Sequence, residues 1–328
     1  MLTLLVRDEA DVLDENLRFH LEHGVDFVVA TDHRSTDGTT DILRRYERDG
    51  HLHLIREDGE RREQSEWVTR MARLAATDFG ADWVLNGDAD EFWLGRDAPL
   101  RDLLAAVPMR YGVVLALWRH FVPRPETGES FFERMTVRRP PAAEGTSPFH
   151  AERKLAHRGD ADVVVRKGNH DVVASRLLPL RDWFPLDVLH FPIRSVAQLE
   201  RKYLTRQGEL ADPKSATLHV RALVDAIGTD GAEAVFRQLL VDDGALAAGL
   251  EDGRYTIDTR VRDALRAEPL EARHGRAGLV EEVAALRAID AQARLDDRLA
   301  WLERRLAAVD ASNPRSLLSR LRGVRDGG

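Results

Sequence analysis

Short apolar runs alternate with longer segments whose leucines recur at helical spacing through the first hundred residues of this chain. Leu2 to Val6 reads as a strand. Residues 9 to 23 read as a helix, with Leu13, Leu17 and Leu21 four apart and Gly24 as a stop signal. Val25 to Ala30 follows as a second strand, Thr36 to Asp49 as a helix and Leu52 to Ile55 as a third strand. Residues 63 to 78 suit another helix, and Trp83 to Leu85 a fourth strand. Continuous apolar strands separated by helices predict an α/β fold: a mostly parallel sheet covered by helices on both faces.

Beyond residue 111 the order loosens. Val113 to Trp118, Val163 to Val165 and Val188 to Phe191 are further strand candidates, and Val122 to Pro148 reads mainly as loops. After about Ser195, alanine, leucine, arginine and acids dominate at helical spacing. That change predicts a catalytic-type domain over 1–195 and a helical C-terminal region over 196–328. Leu295, Leu299, Leu302, Leu306 and Val309 form a short heptad seam, which suits packing on the parent domain or a homodimer through the C-terminal helices. The tail from Pro314 mixes leucines with Arg315, Arg320, Arg322 and Arg325; it reads as a frayed terminus rather than a peripheral membrane contact.

Composition narrows the chemistry. A net charge of -8 argues against general nucleic-acid binding, which needs a basic surface. The absence of cysteine excludes disulfides, thiolate metal sites and cysteine nucleophiles. No apolar run approaches a membrane span and no signal-peptide pattern opens the chain, so the expected location is cytoplasmic.

In parallel sheets ligands bind beyond the carboxyl ends of the strands, so the polar residues there are the ones to read. Strand one leads into Arg7-Asp8-Glu9, strand two into Thr31-Asp32-His33-Arg34-Ser35-Thr36-Asp37-Gly38, and strand four into Gly87-Asp88-Ala89-Asp90-Glu91-Phe92-Trp93. On an extended segment Asp88 and Asp90 point the same way, and a divalent cation with oxygen ligands, Mn2+ or Mg2+, would relieve their repulsion. Asp-x-Asp also occurs by chance on solvated loops. Here it follows a buried strand, contains Gly87 for close approach, and continues into two aromatics that anchor it. Neither Gly-x-Gly-x-x-Gly nor a P-loop is present, so a metal rather than a backbone cradle would neutralise a bound diphosphate.

These elements together resemble the family 2-like branch of GT-A glycosyltransferases, with an Asp-x-Asp-Glu-Phe signature related to the GT92 type. The resemblance rests on Leu5-Val6-Arg7-Asp8-Glu9, Asp32 through Thr39, Asp88 through Phe92, Gly168-Asn169-His170 and His190-Phe191-Pro192-Ile193-Arg194-Ser195. It covers residues 2 to 205 and departs from the branch at Asp8, where that opening carries Asn. It implies a nucleotide-sugar donor, a UDP-sugar first, and inverting transfer to an acceptor that is a glycan, natural product or peptide. By the same resemblance Asp32 would accept from the nucleobase, and Arg7, Glu9, Arg34 and Gln64 would line the nucleotide pocket. Asp90 would bind the metal directly, Asp88 would contact the metal, its waters or the ribose, and Lys154 and Arg194 would face the diphosphate.

Several roles stay open at this level. Asp32 also suits a turn, given Ser35-Thr36-Asp37-Gly38. His190 and His170 compete as a further metal ligand, each also reading as a hydrogen-bonded structural histidine. Glu91 and Asp171 compete as the base that takes the acceptor's proton, and Glu91 could equally hold its loop. Trp67 and Arg70, on the helix of Gln64, would wall the donor or, for Trp67, join the core. A nucleotidyltransferase shares the parallel sheet and metal carboxylates but needs a glycine-rich basic loop after strand one. A non-catalytic scaffold would have no use for both Asp88 and Asp90.

Overall fold

The computed structural model describes residues 1–59, 63–142, 146–150, 152–174, 177–204, 218–267 and 276–312. The chain forms two compact units, Met1–Leu279 and Val280–Gly328. In the first unit the elements run β1 (Leu2–Val6), α1 (Leu13–Glu22), β2 (Val28–His33), α2 (Thr39–Arg48), β3 (Leu52–Glu57), α3 (Gln64–Thr77), β4 (Trp83–Gly87), β5 (Glu91–Gly95) and α4 (Leu100–Ala106). Then follow β6 (Val113–Phe121), α5 (Phe131–Arg134), β7 (Val137–Arg139), β8 (Arg153–Arg158), β9 (Val164–Val165), β10 (Val172–Val173), β11 (Pro179–Leu180) and β12 (Leu186–His190). Helices α6 (Val196–Leu204), α7 (Leu218–Asp230), α8 (Ala232–Leu239), α9 (Asp243–Glu251) and α10 (Arg260–Arg266), with β13 (Thr256–Ile257) between the last two, complete it.

The α/β class expected from the strand–helix alternation is the class observed. Strands β3, β2, β1 and β4 lie side by side and parallel. The path β1–β2–β3 moves outward one way, and α3 returns the chain to β4 on the other side of β1. Right-handed crossovers therefore set α3 on the face opposite α1 and α2. On the α3 face, Trp67, Val68, Met71, Ala72 and Ala75 bury against Leu5, Val29 and Val84. Trp67 is thus a core residue.

Beyond β4 the sheet is mixed. Antiparallel β8 is inserted between β4 and β6, and β12 pairs parallel with β6 and antiparallel with β5. The carboxyl ends of β1, β2, β4, β6 and β12 therefore share one edge, and β8 begins there. That topology gathers the polar strand ends at a single edge of the sheet, where sequence alone gives only separate loops.

Two differences from the sequence reading have clear causes. Phe92 and Trp93, read as loop anchors, belong to β5, fully buried and hydrogen-bonded to β12. The first unit also runs past 195, because Leu199, Tyr203, Leu223, Val224, Ile227, Val235 and Phe236 build one apolar cluster with Phe149 and Ile193. In the second unit, α11 (Arg276–Ser312) carries Leu295, Leu299, Trp301 and Leu302 exposed to solvent. The side chains of Leu306 and Val309 and the tail from Pro314 lie outside the described residues. Among those described, no helix is long and apolar enough to cross a membrane.

Candidate active site

The acid motif forms a tight turn rather than an extended segment. The Glu91 N–H donates to the Asp88 carbonyl at 3.0 Å. Asn16, fully buried on α1, donates its side-chain amide to the carbonyls of Ala89 and Glu91 at 2.9 and 2.8 Å. Gly87 lets the turn pack closely: a Cβ there would stand 3.2 Å from Leu2 and 3.3 Å from Trp93, so those side chains would have to give by a few tenths of an ångström. The turn also separates the partners of the two aspartates: Asp88 faces Lys154, whereas Asp90 faces Lys202 and Arg194.

Asp88 faces Lys154, at 3.1 Å, and Asn169, at 3.5 Å. With 32% of its side chain exposed it is the accessible acid of the turn. Lys154 reaches it because the β4–β8 register, continued by two residues beyond Leu85–Ala156, sets Lys154 opposite Gly87. The same ammonium lies 2.8 Å from Glu91 and donates to the Gly168 carbonyl at 3.1 Å. Glu91 is wholly buried and accepts from the Asp88 N–H at 3.1 Å. Burial pushes its carboxyl up to about 8 against the pull of Lys154. Burial also opposes the charge on Lys154, but Asp88 and Glu91 outweigh it and hold the ammonium protonated.

Asp90 is buried among basic groups. Its Oδ2 accepts from Lys202 on α6 and lies 3.6 Å from Arg194. Its Oδ1 faces His190 Nε2 at 3.8 Å. Burial would raise this carboxyl, yet Lys202, His190 and Arg194 together hold it well below the usual range. Arg194 is itself buried and forked onto acids, donating to Glu9 at 2.7 Å and to Asp11 at 2.8 and 3.1 Å. The helix that supplies Lys202 starts at a local cap. Ser195 Oγ accepts from the Gln198 N–H, and the Gln198 side chain accepts from the Arg194 N–H. About one turn beyond Gln198, Arg201 donates to the Asp8 carbonyl and Asp11, and the next residue, Lys202, reaches Asp90.

A row of rings backs this cluster. The β6–β12 register pairs His120 with His190, and the β12–β5 register pairs His190 with Glu91. The two histidine Nδ1 atoms are 3.1 Å apart, and Trp118 stacks on His190 with centroids 4.4 Å apart. Burial, the largest influence on both rings, draws His120 down to about 4 and His190 well below its ordinary value.

The remaining sequence candidates divide. Glu9 joins the site by way of Arg194 and Lys202. Asp32 is fully buried, accepting from the Ser35 N–H and Thr40 Oγ1 and lying 3.4 Å from Arg56. Its carboxylate shapes the turn and offers no exposed oxygen to a nucleobase. Arg7 lies half-buried beside Asp8, Arg34 is exposed at a φ of +57°, and Gln64 opens α3 half-buried. His170 Nδ1 donates to the Arg153 carbonyl, 2.9 Å away, and its Nε2 lies 3.5 Å from Glu152, so the contacts of its ring lead away from Asp90. Asp171 is exposed and pairs with Arg166 at 3.4 Å. His170 and Asp171 line a cavity of about 480 Å³ with Arg153, Arg181 and Phe184. Asp11, Asn16, His120, Arg201 and Lys202 were missed by sequence reasoning. Only Lys202 had a legible signal, lying two helical turns beyond Arg194.

Among the described residues no three His, Asp or Glu side chains converge as a complete metal site. A pair of protein donors is what Mg2+ or Mn2+ keeps when phosphate oxygens and waters complete its shell. Asp90 Oδ1 and His190 Nε2, 3.8 Å apart at the carboxyl edge of the sheet, are one such pair.

No family model and no curated protein matches the chain. Solved structures do. A mannosyltransferase from Pyrobaculum calidifontis, in complex with GDP-Man and Mn2+, is 20% identical over 90% of this chain and 86% of its own, with a TM-score of 0.34. TarS 1–349 of S. aureus in complex with UDP-GlcNAc is 14% identical over 90% and 91%, with a TM-score of 0.35. Glucosyl-3-phosphoglycerate synthase from Mycobacterium tuberculosis, in complex with Mn2+, UDP and phosphoglyceric acid, is 17% identical over 36% and 42%, with a TM-score of 0.26. At such identities and TM-scores the chemistry has to be read from this chain's own residues.

Proposed function

We propose that this protein is a GT-A-type glycosyltransferase that moves a sugar from a nucleotide-diphosphate donor to a separate acceptor. The observation that carries the reading is the Asp90–His190 pair at the carboxyl edge of the sheet, flanked by Arg194 and Lys202. A Mn2+ or Mg2+ ion held by Asp90 Oδ1 and His190 Nε2 would act as a Lewis acid for the departing nucleotide. Lys202 and Arg194 stand beside the same carboxylate and would bind diphosphate oxygens and offset their charge. Glu9 and Asp11 hold the Arg194 guanidinium in place for that task.

Glu91 is sealed against Lys154, so in this reading it supports the turn and does not take the acceptor's proton. Asp171 is the accessible alternative, and the cavity it lines with Arg153 and Arg181 would admit the acceptor. Since Asp32 is committed to its own turn, the base of the donor is set by other contacts, and both UDP- and GDP-sugars belong in the test.

The experiment measures nucleoside diphosphate released from a panel of such donors with Mn2+, with and without EDTA. Release from at least one donor, falling more than a hundredfold in Asp90→Asn, is the expected result. A folded Asp90→Asn protein that turns over like the wild type would refute the reading, as would no release from any donor.

A further inference from the structure

His120 and His190 share one proton between their Nδ1 atoms, 3.1 Å apart. One ring must donate and the other accept, and the far side of His120 decides which. Its Nε2 lies 2.9 Å from the carbonyl oxygen of His150, and a carbonyl only accepts, so that nitrogen carries the hydrogen. A neutral imidazole carries one hydrogen, so His120 Nδ1 is the acceptor and His190 Nδ1–H the donor. The other nitrogen of His190, Nε2, is then left with its lone pair directed beside Asp90 Oδ1.

The surroundings keep this chain of bonds in place. His120 is wholly buried in register with His190. The His150 ring stacks on His219 at 4.4 Å and meets the Ser147 carbonyl and Glu152 through its two nitrogens. Trp118 covers the face of His190. Both rings are buried, and two Nδ1 atoms 3.1 Å apart can share a hydrogen bond only if one of them carries no hydrogen.

We propose that His120 is a positioning residue that fixes the tautomer of His190, so that Nε2 is presented unprotonated to a divalent cation beside Asp90. The cation rests on the functional reading above; the tautomer does not. A partner on the remote nitrogen of a ligating histidine typically changes metal affinity by about 10- to 100-fold.

Two measurements test it. Nitrogen-15 imidazole spectra of the wild type at pH 7.5 should show His190 protonated at Nδ1; protonation at Nε2 overturns the proposal. Mn2+ affinity, followed by electron paramagnetic resonance without donor or acceptor, should fall about tenfold or more in His120→Leu and recover in His120→Gln. The glutamine can accept from His190 and donate to the His150 carbonyl in the same way. Unchanged affinity in a folded His120→Leu protein, or no recovery in His120→Gln, overturns it. If His120→Leu does not fold, the glutamine variant and the wild-type spectrum still decide. Should the wild type bind no Mn2+, the metal part fails while the tautomer is judged from the spectrum, so the two ideas fall separately.

Discussion

The pair that locks the acid turn can be dissected by a double-mutant cycle on Lys154 and Glu91. Both side chains are essentially buried, and Nζ to Oε1 is 2.8 Å, a separation whose gross attraction is about 6 kcal/mol at an effective dielectric of 20. Desolvation removes much of that. Burial raises the Glu91 carboxyl to about 8, so at pH 7 the Lys154 ammonium stands 2.8 Å from a carboxyl that is mostly neutral. A polar contact with one charged partner contributes about 1.5–3 kcal/mol. Removing Lys154 also removes the pull that lowers Glu91, so in Lys154→Met the carboxyl rises further and stays protonated at pH 9. The wild-type carboxyl ionises above 8, and each further pH unit adds about 1.4 kcal/mol to the coupling. Urea unfolding of wild type, Lys154→Met, Glu91→Gln and the double variant should therefore give a coupling of about 2 kcal/mol at pH 7 and about 3 kcal/mol at pH 9. Tryptophan fluorescence is a suitable signal, since the Lys154 ammonium lies 5.4 Å from the Trp118 ring. Additive effects, within about 0.5 kcal/mol at both pH values, or a coupling that shrinks with pH, would refute this account.

Two more outcomes follow from buried polar groups. Asn16→Ala removes both amide bonds to the turn and leaves two carbonyls without their donor, which should cost about 1–3 kcal/mol in urea unfolding; an unchanged midpoint would show that the turn stands without α1. The buried rings of His20, His120 and His157 are drawn mainly by burial down to about 3, 4 and 4. The unfolded chain takes these protons near 6.5 and the folded chain does not, so their contribution to stability is complete above 6.5 and is lost as pH falls. Each should forfeit about 1.4 kcal/mol by pH 5.5, and melting temperatures that stay flat between pH 7.5 and 5 would contradict that assignment.

The sequence by itself determined the α/β class and the places where chemistry would lie. Buried strands read as continuous apolar runs, and a parallel sheet sends its polar residues to the carboxyl ends, so Glu9, Asp88, Asp90, His190 and Arg194 were legible as candidates. Local patterns also carried Gly87, whose missing side chain admits Leu2 and Trp93. Which acid meets which base was decided only in three dimensions. Spacing sets Asp88 and Asp90 two apart, but one hydrogen bond from Glu91 to Asp88 closes a turn, and the two acids meet different bases. Lys154 depends on β8 being inserted antiparallel beside β4, and His120 depends on a strand register, neither of which leaves a mark in the spacing of residues. Asp32 shows the converse: its motif is plain, yet Ser35, Thr40 and Arg56 consume the carboxylate. Short-range periodicity reports burial and strand direction because both are repeated along the chain. Pairing between charged groups far apart in sequence is settled once, by the packing that brings their elements together.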